Sequence, residues 1–405
     1  MVSEMDASER LFLAALRASI RGEVYTPPGD TKAWSRAVRL AQEHSVLPLL
    51  VEAVCASPER EVRCRAWREH AKRLTCAQAQ RTADFLLLYA FLAARGLRPA
   101  VMKGIVLRAL YPQPEQRAST DEDLLIRPEE FTAYREAMLA YGLSPVDPQL
   151  DEEKEFEVSY EDKTRGLYIE LHKHPFLPES DAYGDMNVLF DCALARSETV
   201  RIYGQELWTL APTDHLLYLL CHAYKHFLHA GFGIRQVCDI GIFAERYAER
   251  IDWARVRESC ESIHIARFTA AVFRIAERHL GFSMPKAFAD LDVDERDLLE
   301  DILTGGLYGV NDINRAHSAT ITLDAVSKQR QGRARAGVLA SVFLPLESMA
   351  GKYPYLKKYP WLLPAAWVQR VGRYLVHSET RVDPMASVRI GGERVELLRE
   401  YEIIE

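Results

Sequence analysis

The sequence predicts an α+β fold in which a small mixed sheet lies between two helical regions. Two observations predict it. Apolar residues recur every three or four positions across residues 8–97 and again from 212 to about 375, as they do in amphipathic helices. Between these regions, short apolar or alternating runs bounded by Gly and Pro are typical of strands and hairpins. With 405 residues, the chain is expected to hold more than one domain.

The elements follow this order along the chain. Three helical segments precede residue 98, the second capped by Asp30 or Thr31 and the third closed by Gly96. The middle contains a buried strand before the Lys103-Gly104 turn, a strand at "TDEDLLI", a helix opened by Pro128 and closed by Gly142, and two hairpins. The predicted parts are a helical region (1–97), a small mixed α/β core (98–210), a helical domain (211–376) and a tail (377–405) with a possible hairpin at Gly391-Gly392.

Composition and charge restrict the classes of protein. The formal charge of -7 gives no general attraction to nucleic acid, which is therefore disfavoured as a partner, or to anionic membranes. The seven cysteines include no C-x-x-C pair, and their spacing indicates reduced thiols. The N-terminus has no basic stretch before its first apolar run, and no apolar run is long enough to span a bilayer. A cytoplasmic location is predicted.

An acidic pair stands at the start of the second predicted strand. Asp121 and Asp123 share one face of it, because side chains alternate along a strand. A D-x-D pattern alone is more often a solvated strand end than a site. Here Leu-Leu-Ile follows directly, so the strand is expected to be buried, where Asp is costly. Two close carboxylates favour a cation between them, and Glu170 on a neighbouring strand could supply a third.

At this point the chain resembles a known family. Lys-Gly, a short helix, Tyr-Pro, an Arg and then Asp-x-Asp-Leu-Leu are similar to the motif of the uncharacterised nucleotidyltransferase family of bacteria, a branch of the polymerase-beta-like nucleotidyltransferase fold. The flanks are similar as well, and the resemblance extends over roughly residues 34–373. The matching flanking residues are Trp34, Ala41, His44, Pro48 and the Glu170-Leu171-His172 strand.

The resemblance implies roles for individual residues. Asp121 and Asp123 match the metal-binding pair, and Glu170 falls where the fold carries its third carboxylate. Lys103-Gly104 occupies the turn that meets the nucleotide phosphates, and Arg117 matches an Arg before the acidic pair. The chain departs from the general pattern at Glu122, where an apolar residue is usual. A buried Glu122 would need a partner, so the rear face of its strand is expected to be partly open.

The activity implied is transfer of a nucleoside monophosphate from an NTP to a small-molecule or peptide acceptor, with Mg²⁺ or Mn²⁺ as cofactor. Three carboxylates with Lys103 and Arg117 suit this chemistry, which needs metal ions for in-line displacement and cations to balance the triphosphate charge. Two alternatives stay open. One is a catalytically silent nucleotide-binding module of the same fold, and the other is a kinase-like phosphoryl transferase.

A polar stripe runs along the helix "TDHLLYLLCHAYKHFLHAG". Three interpretations of it are open: a zinc site at His222 and His226, histidines that hydrogen-bond between packed helices, or contact with the nucleotide. The last, through His222 and Lys225, is preferred. On the next helix, Arg235 and Asp239 are expected to pair with each other. The stripe comprises His215, Tyr218, His222, Lys225, His226 and His229.

A basic and aromatic segment occupies residues 351–375. Such interleaving can bind single-stranded nucleic acid or a membrane surface. Prolines interrupt it, and packing against the helical domain is the preferred interpretation.

Overall fold

The computed structural model describes residues 5–26, 31–54, 61–309, 313–330, 353–367, 369 and 384–405. Helices flank a single mixed sheet, which confirms the predicted α+β class. The helices that precede the sheet are α1 (Ala7–Arg21), α2 (Thr31–Glu43), α3 (Leu47–Val54) and α4 (Glu61–Ala93).

The second predicted helical segment is divided into α2 and α3. Ser45 between them has φ +55°, a left-handed conformation that interrupts a helix, and Pro48 lies in the first turn of α3. His44 therefore stands in a sharp corner between two helices. It is fully buried, and its Nδ1 accepts a hydrogen bond from the Ile234 amide at 3.3 Å.

The sheet has seven strands in the order β3-β4-β5-β2-β1-β7-β6. The hairpins β4–β5 and β6–β7 occur where the alternating sequence predicts them. Strand β2 is central; it runs antiparallel to β1 and parallel to β5. The strands are β1 (Ala100–Val101), β2 (Glu122–Leu125), β3 (Ser144–Pro145), β4 (Glu157–Asp162), β5 (Leu167–His172), β6 (Glu198–Ile202) and β7 (Gln205–Thr209).

The short helix α5 (Ile105–Arg108) follows β1, and α6 (Phe131–Tyr141) follows β2. One apolar core joins β2, β4 and β5 to side chains of α4 and α6, such as Phe85 and Phe131. A second, larger core joins Leu125, on the opposite face of β2, to the N-terminal and C-terminal helices. The sheet thus separates two apolar cores, and its second face points toward the C-terminal helices.

After the short helix α7 (Ala193–Arg196), the C-terminal helices begin at Pro212, as predicted. They include α8 (Pro212–Leu228), α9 (Ile234–Arg246), α10 (Trp253–Ser262), α11 (Ala266–Leu280), α12 (Arg296–Gly305) and α13 (Ile313–Arg330). The larger core contains residues of both α1 and α11, so the N-terminal and C-terminal helical regions bury apolar surface together.

The predicted hairpin at Gly391-Gly392 is wrong. Both glycines lie inside a helix, α14 (Pro384–Glu400), which packs along α13. Gly391 serves a close helix contact instead of a turn, because a Cβ there would lie 2.6 Å from Ile321 Cδ1.

The basic and aromatic segment is described from 353 to 367 and at 369; the rest of it lies outside the described residues. Within this part, Tyr353, Leu356 and Ala366 are buried in a small apolar cluster of their own. Trp361 is exposed.

Candidate active site

Strand β2 brings the predicted carboxylates together. Asp123 on β2 and Glu170 on β5 are direct neighbours in the parallel pairing of these strands, and Asp121 lies immediately before β2. The alternation predicted from sequence holds, because Leu124 and Ile169 point into the core on the other side. Asp123 is fully buried, and its carboxylate lies among the cations described below.

The cation between the aspartates is Lys103. Its Nζ lies 2.9 Å from Asp123 Oδ1 and 3.4 Å from Asp121 Oδ2. These ion pairs balance the charge that would otherwise make two neighbouring carboxylates repel each other. Although burial alone would raise the pKa of Asp123, the charge of Lys103 and the neighbouring His172 hold that pKa below its usual value.

The Glu122 side chain packs against the Lys103-Gly104 turn and holds it in place. Gly104 has φ +58°, and a Cβ at this position would lie 1.8 Å from Glu122 Oε2. The Glu122 carboxylate pairs with Arg108 and accepts a hydrogen bond from the Ile105 amide at 2.8 Å. The expectation of a partly open rear face is therefore wrong: Glu122 is 6 % exposed, and Arg108 is its buried partner.

His172 is the residue that the sequence interpretation did not assign to the site. It lies two positions after Glu170 on β5, with Nε2 3.4 Å from Asp123 Oδ1 and 3.7 Å from Glu170 Oε2. Its Nδ1 lies 3.6 Å from Glu157 Oε2. The shared strand face of Glu170 and His172 was the available signal. Among the described residues, Asp123, Glu170 and His172 form the one group whose ligand atoms are placed to hold a metal ion.

The charges in this group are strongly coupled. Burial, followed by the charge of Asp123, raises the pKa of Glu170 to about 7. Burial by itself would lower the pKa of His172, but the carboxylates of Asp123, Glu170 and Glu157 outweigh it and raise that pKa to about 9. The surrounding carboxylates therefore favour the protonated form of His172.

Helix α8 lies across the cleft from the carboxylates. Some side chains of its polar stripe line the cleft, and others are buried elsewhere. His222 Nε2 lies 3.1 Å from Lys103 Nζ and 3.1 Å from His226 Nε2. Burial and the charge of Lys103 lower the pKa of His222, so its neutral ring accepts a hydrogen bond from the ammonium. Lys225 also lines the cleft, close to the Phe156 ring.

The remaining histidines of the stripe point elsewhere. His215 contacts Thr209 Oγ1 at 3.1 Å in the interior, and His229 contacts the Tyr183 hydroxyl at 3.2 Å. These two make contacts away from the cleft, with a strand residue and a loop residue, whereas His222 and Lys225 line the cleft.

Arg117 is held by Asp239 of α9. Its Nε and Nη2 donate to the two carboxylate oxygens at 2.8 and 2.7 Å, and Tyr111 donates to the same carboxylate. The expected pair of Arg235 and Asp239 is therefore wrong, since Arg235 donates to the Ala118 carbonyl instead. Arg117 lies beside the aspartates but has much of its hydrogen-bonding capacity engaged.

A cleft of about 380 Å³ lies between these walls. Lys103, Asp121 and His222 separate it from a pocket of about 20 Å³ that reaches Gly104, Arg117 and Arg235. The residues around the main cleft are Lys103, Thr120, Asp121, Glu157, Tyr168, Glu170, His172, Pro175, His222, Lys225 and His226.

Comparison with known proteins assigns the class. A family model described as "uncharacterised nucleotidyltransferase" matches residues 30–281, more than half of the chain. The chain belongs to the uncharacterised nucleotidyltransferase family, and this membership indicates a transferase enzyme. No curated protein and no solved structure matches the chain significantly. No helix in the described ranges is both long and apolar enough to cross a membrane.

Proposed function

We propose that this enzyme transfers a nucleoside monophosphate from an NTP to a small-molecule or peptide acceptor, with Mg²⁺ or Mn²⁺ as cofactor. One observation carries the proposal: Asp121 and Glu170 line one wall of a cleft, with the buried Asp123 as the cross-strand neighbour of Glu170, and the other wall presents His222 and Lys225. We place the chemistry in residues 98–210, with residues 211–376 contributing the opposite wall.

Asp121, Asp123 and Glu170 fit a divalent cation. Each offers carboxylate oxygens, the ligand atoms that Mg²⁺ and Mn²⁺ prefer, and the buried Asp123 already lies against the cation Lys103. When bound, such an ion would polarise the α-phosphate and offset charge on the attacking and leaving oxygens.

Lys103 has two roles in this proposal: it pairs with the aspartates, and it binds phosphate. In the metal-free protein it neutralises the aspartates. Its ammonium also lies at the boundary between the cleft and the smaller pocket, next to Gly104, where it can bind phosphate oxygens once the aspartates have another cation. Gly104 has no side chain, which leaves the backbone open to the phosphates.

His222 and Lys225 hold the nucleotide from the opposite wall in our proposal. His222 fixes the Lys103 ammonium through its neutral ring, and Lys225 adds positive charge at the cleft. Arg117 contributes positive charge beside the aspartates and positions α9 through Asp239. The cleft is lined by both carboxylates and cations, which favours an acceptor other than nucleic acid.

We also propose that the enzyme works in the cytoplasm. Cys221, Cys238 and Cys260 are buried free thiols, and burial raises the pKa of each. This state suits a reducing compartment.

The test uses NTPs labelled at either the α or the γ phosphate, incubated with Mg²⁺ or Mn²⁺ and a metabolite extract. Nucleotidyl transfer is expected to place only the α label in a new product, whereas a kinase-like reaction would place the γ label there. Asp123→Asn is expected to abolish transfer. Asp191→Asn, a matched change at an exposed aspartate outside the cleft, is expected to retain it. A product from Asp123→Asn would contradict the proposal.

A further inference from the structure

His172 raises a question that the proposed function does not answer. It is 2 % exposed, and neither of its ring nitrogens has a hydrogen bond in the structure. Three carboxylates surround the ring at ion-pair distances, an arrangement that a shared cation would also satisfy. The contacts of its Nε2 with Asp123 and Glu170, at 3.4 and 3.7 Å, are longer than hydrogen bonds.

These separations suit ligands of a shared ion. Adjacent ligands of an octahedral ion, each about 2.2 Å from the metal, lie about 3.1 Å apart. One ligand atom from each of Asp123, Glu170 and His172 lies within 4.8 Å of the others, so small side-chain rotations would close the set. Asp123 and Glu170 are cross-strand neighbours and His172 follows Glu170 by two positions, so the backbone of β2 and β5 fixes their common face.

The other nitrogen of the ring is placed as in many metal sites. A histidine that binds metal through one nitrogen usually directs the other toward a carboxylate, which orients the ring. Here Nε2 faces Asp123 and Glu170, whereas Nδ1 lies 3.6 Å from Glu157 Oε2. Glu157 belongs to β4, the strand next to β5, where it pairs directly with His172.

We propose that His172 Nε2, Asp123 and Glu170 form a preformed divalent-cation site that prefers Mn²⁺ to Mg²⁺, with Glu157 as a positioning residue. The inference rests on the proposed function and adds a nitrogen ligand to its carboxylates. Imidazole binds Mn²⁺ more readily than it binds Mg²⁺, which demands oxygen ligands. The ion takes the place of the proton on Nε2, so Asp123 and Glu170 keep a cation between them.

The test is Mn²⁺ binding to the full chain without nucleotide, followed by electron paramagnetic resonance with detection of ¹⁴N coupling. The wild type is expected to bind one Mn²⁺ with histidine nitrogen coupling. In His172→Ala the coupling is lost and affinity falls about 10–100-fold. His174→Ala is the matched control, since His174 is exposed two residues further along, and it is expected to keep both the coupling and the affinity.

Glu157→Gln provides a second variant that leaves every ligand in place. It is expected to keep the nitrogen coupling while weakening Mn²⁺ binding, and to reduce the preference for Mn²⁺ over Mg²⁺ less than His172→Ala does. Mn²⁺ bound without nitrogen coupling, coupling that survives in His172→Ala, or no Mn²⁺ binding would each overturn the inference. The α-label assay with Mg²⁺ reports separately on nucleotidyl transfer, so the failure of one proposal is distinguishable from the failure of the other.

Discussion

Asp121 and Asp123 are only two positions apart but have different surroundings. The Asp121 side chain is 18 % exposed, whereas that of Asp123 is 1 % exposed and lies against Lys103 and His172. Replacing either with Asn is expected to abolish transfer. Only Asp123→Asn is expected to destabilise the fold, by about 2 kcal/mol or more, because two buried cations lose their shared anion. Urea unfolding and the α-label assay measure both effects; equal stability losses in the two variants would contradict this account.

Replacing His222 tests whether the α8 side of the cleft contributes to catalysis. His222→Ala removes the contact with Lys103 and is expected to lower kcat/KM by about 10–100-fold, the loss of one hydrogen bond to a charged group. His229→Ala is the control, since His229 contacts Tyr183 and does not line the cleft. Steady-state kinetics and thermal unfolding distinguish the two variants. An equal kinetic loss in both would indicate a helix-packing role for His222.

Gly104 lies directly against the buried Glu122 carboxylate, which holds the Lys103-Gly104 turn. Gly104→Ala adds a methyl group where Glu122 lies, so the carboxylate must leave Arg108 and the Ile105 amide. A loss of about 3–5 kcal/mol is expected from the broken pair. Gly96→Ala has a comparable φ of +77° but meets no atom within 4 Å, and is expected to cost only about 1–2 kcal/mol. Denaturant unfolding compares them; similar losses would show that backbone conformation alone sets the requirement for glycine.

Sequence reasoning found the carboxylates but not their partners. Alternation along β2 and β5 predicted which side chains share a face, because the period of a strand is fixed by its geometry. The contacts of Glu122 with Arg108 and of Arg117 with Asp239 depend on tertiary packing and have no local signal. The position of Lys103 between the aspartates likewise required the structure.

At the scale of elements, strands and helices with a strong period were predictable, whereas the C-terminal helix α14 and the break between α2 and α3 were not. The Gly-Gly pair in α14 resembles a turn because glycine readily adopts positive φ. Gly391 instead allows close packing against the distant helix α13, whereas Gly392 makes no such contact. The break between α2 and α3 was also missed, since Ser45 is not a typical left-handed residue.

The same pair of glycines gives a matched experiment. Gly392→Ala meets no atom within 4 Å and is expected to stabilise the protein by about 1 kcal/mol through helix propensity. Gly391→Ala gains the same propensity but forces Ile321 away, so it is expected to be less stable than Gly392→Ala by about 1–3 kcal/mol. Thermal unfolding compares the two. Equal stabilisation would show that α13 and α14 pack less closely than the structure indicates.

At the scale of the whole molecule, His44 joins regions that are far apart in sequence. It stacks on Phe12 of α1 and accepts the amide hydrogen of Ile234 at the start of α9. Burial, with Arg235 nearby, lowers its pKa to about 4. Since the folded pKa lies below the unfolded value of 6.5, the imidazole takes up a proton more readily in the unfolded chain. The free energy of unfolding should therefore fall as pH decreases from about 6.5 to about 4.

The contribution of His44 to this loss is about 3 kcal/mol at the acid end, and His215 adds a loss in the same pH range. His44→Asn keeps an acceptor for the Ile234 amide without a titrating group and is expected to flatten the pH dependence. His174→Asn, at an exposed histidine, is expected to leave it unchanged. Unfolding in denaturant at several pH values between 4 and 7 checks this; an unchanged slope in His44→Asn would contradict it.

The core shared by α1 and α11 sets an order of events during synthesis. Leu11, Phe12 and Leu16 of α1 are buried in a core that includes Phe268 and Val272 of α11. Translation proceeds at about 5–20 residues per second, so roughly 10–50 s separate the completion of α1 from the start of α11 on the ribosome. The first helix must therefore leave the exit tunnel long before its native partner exists, and the enzyme can complete its larger core only after the sheet and its active-site strands have been made.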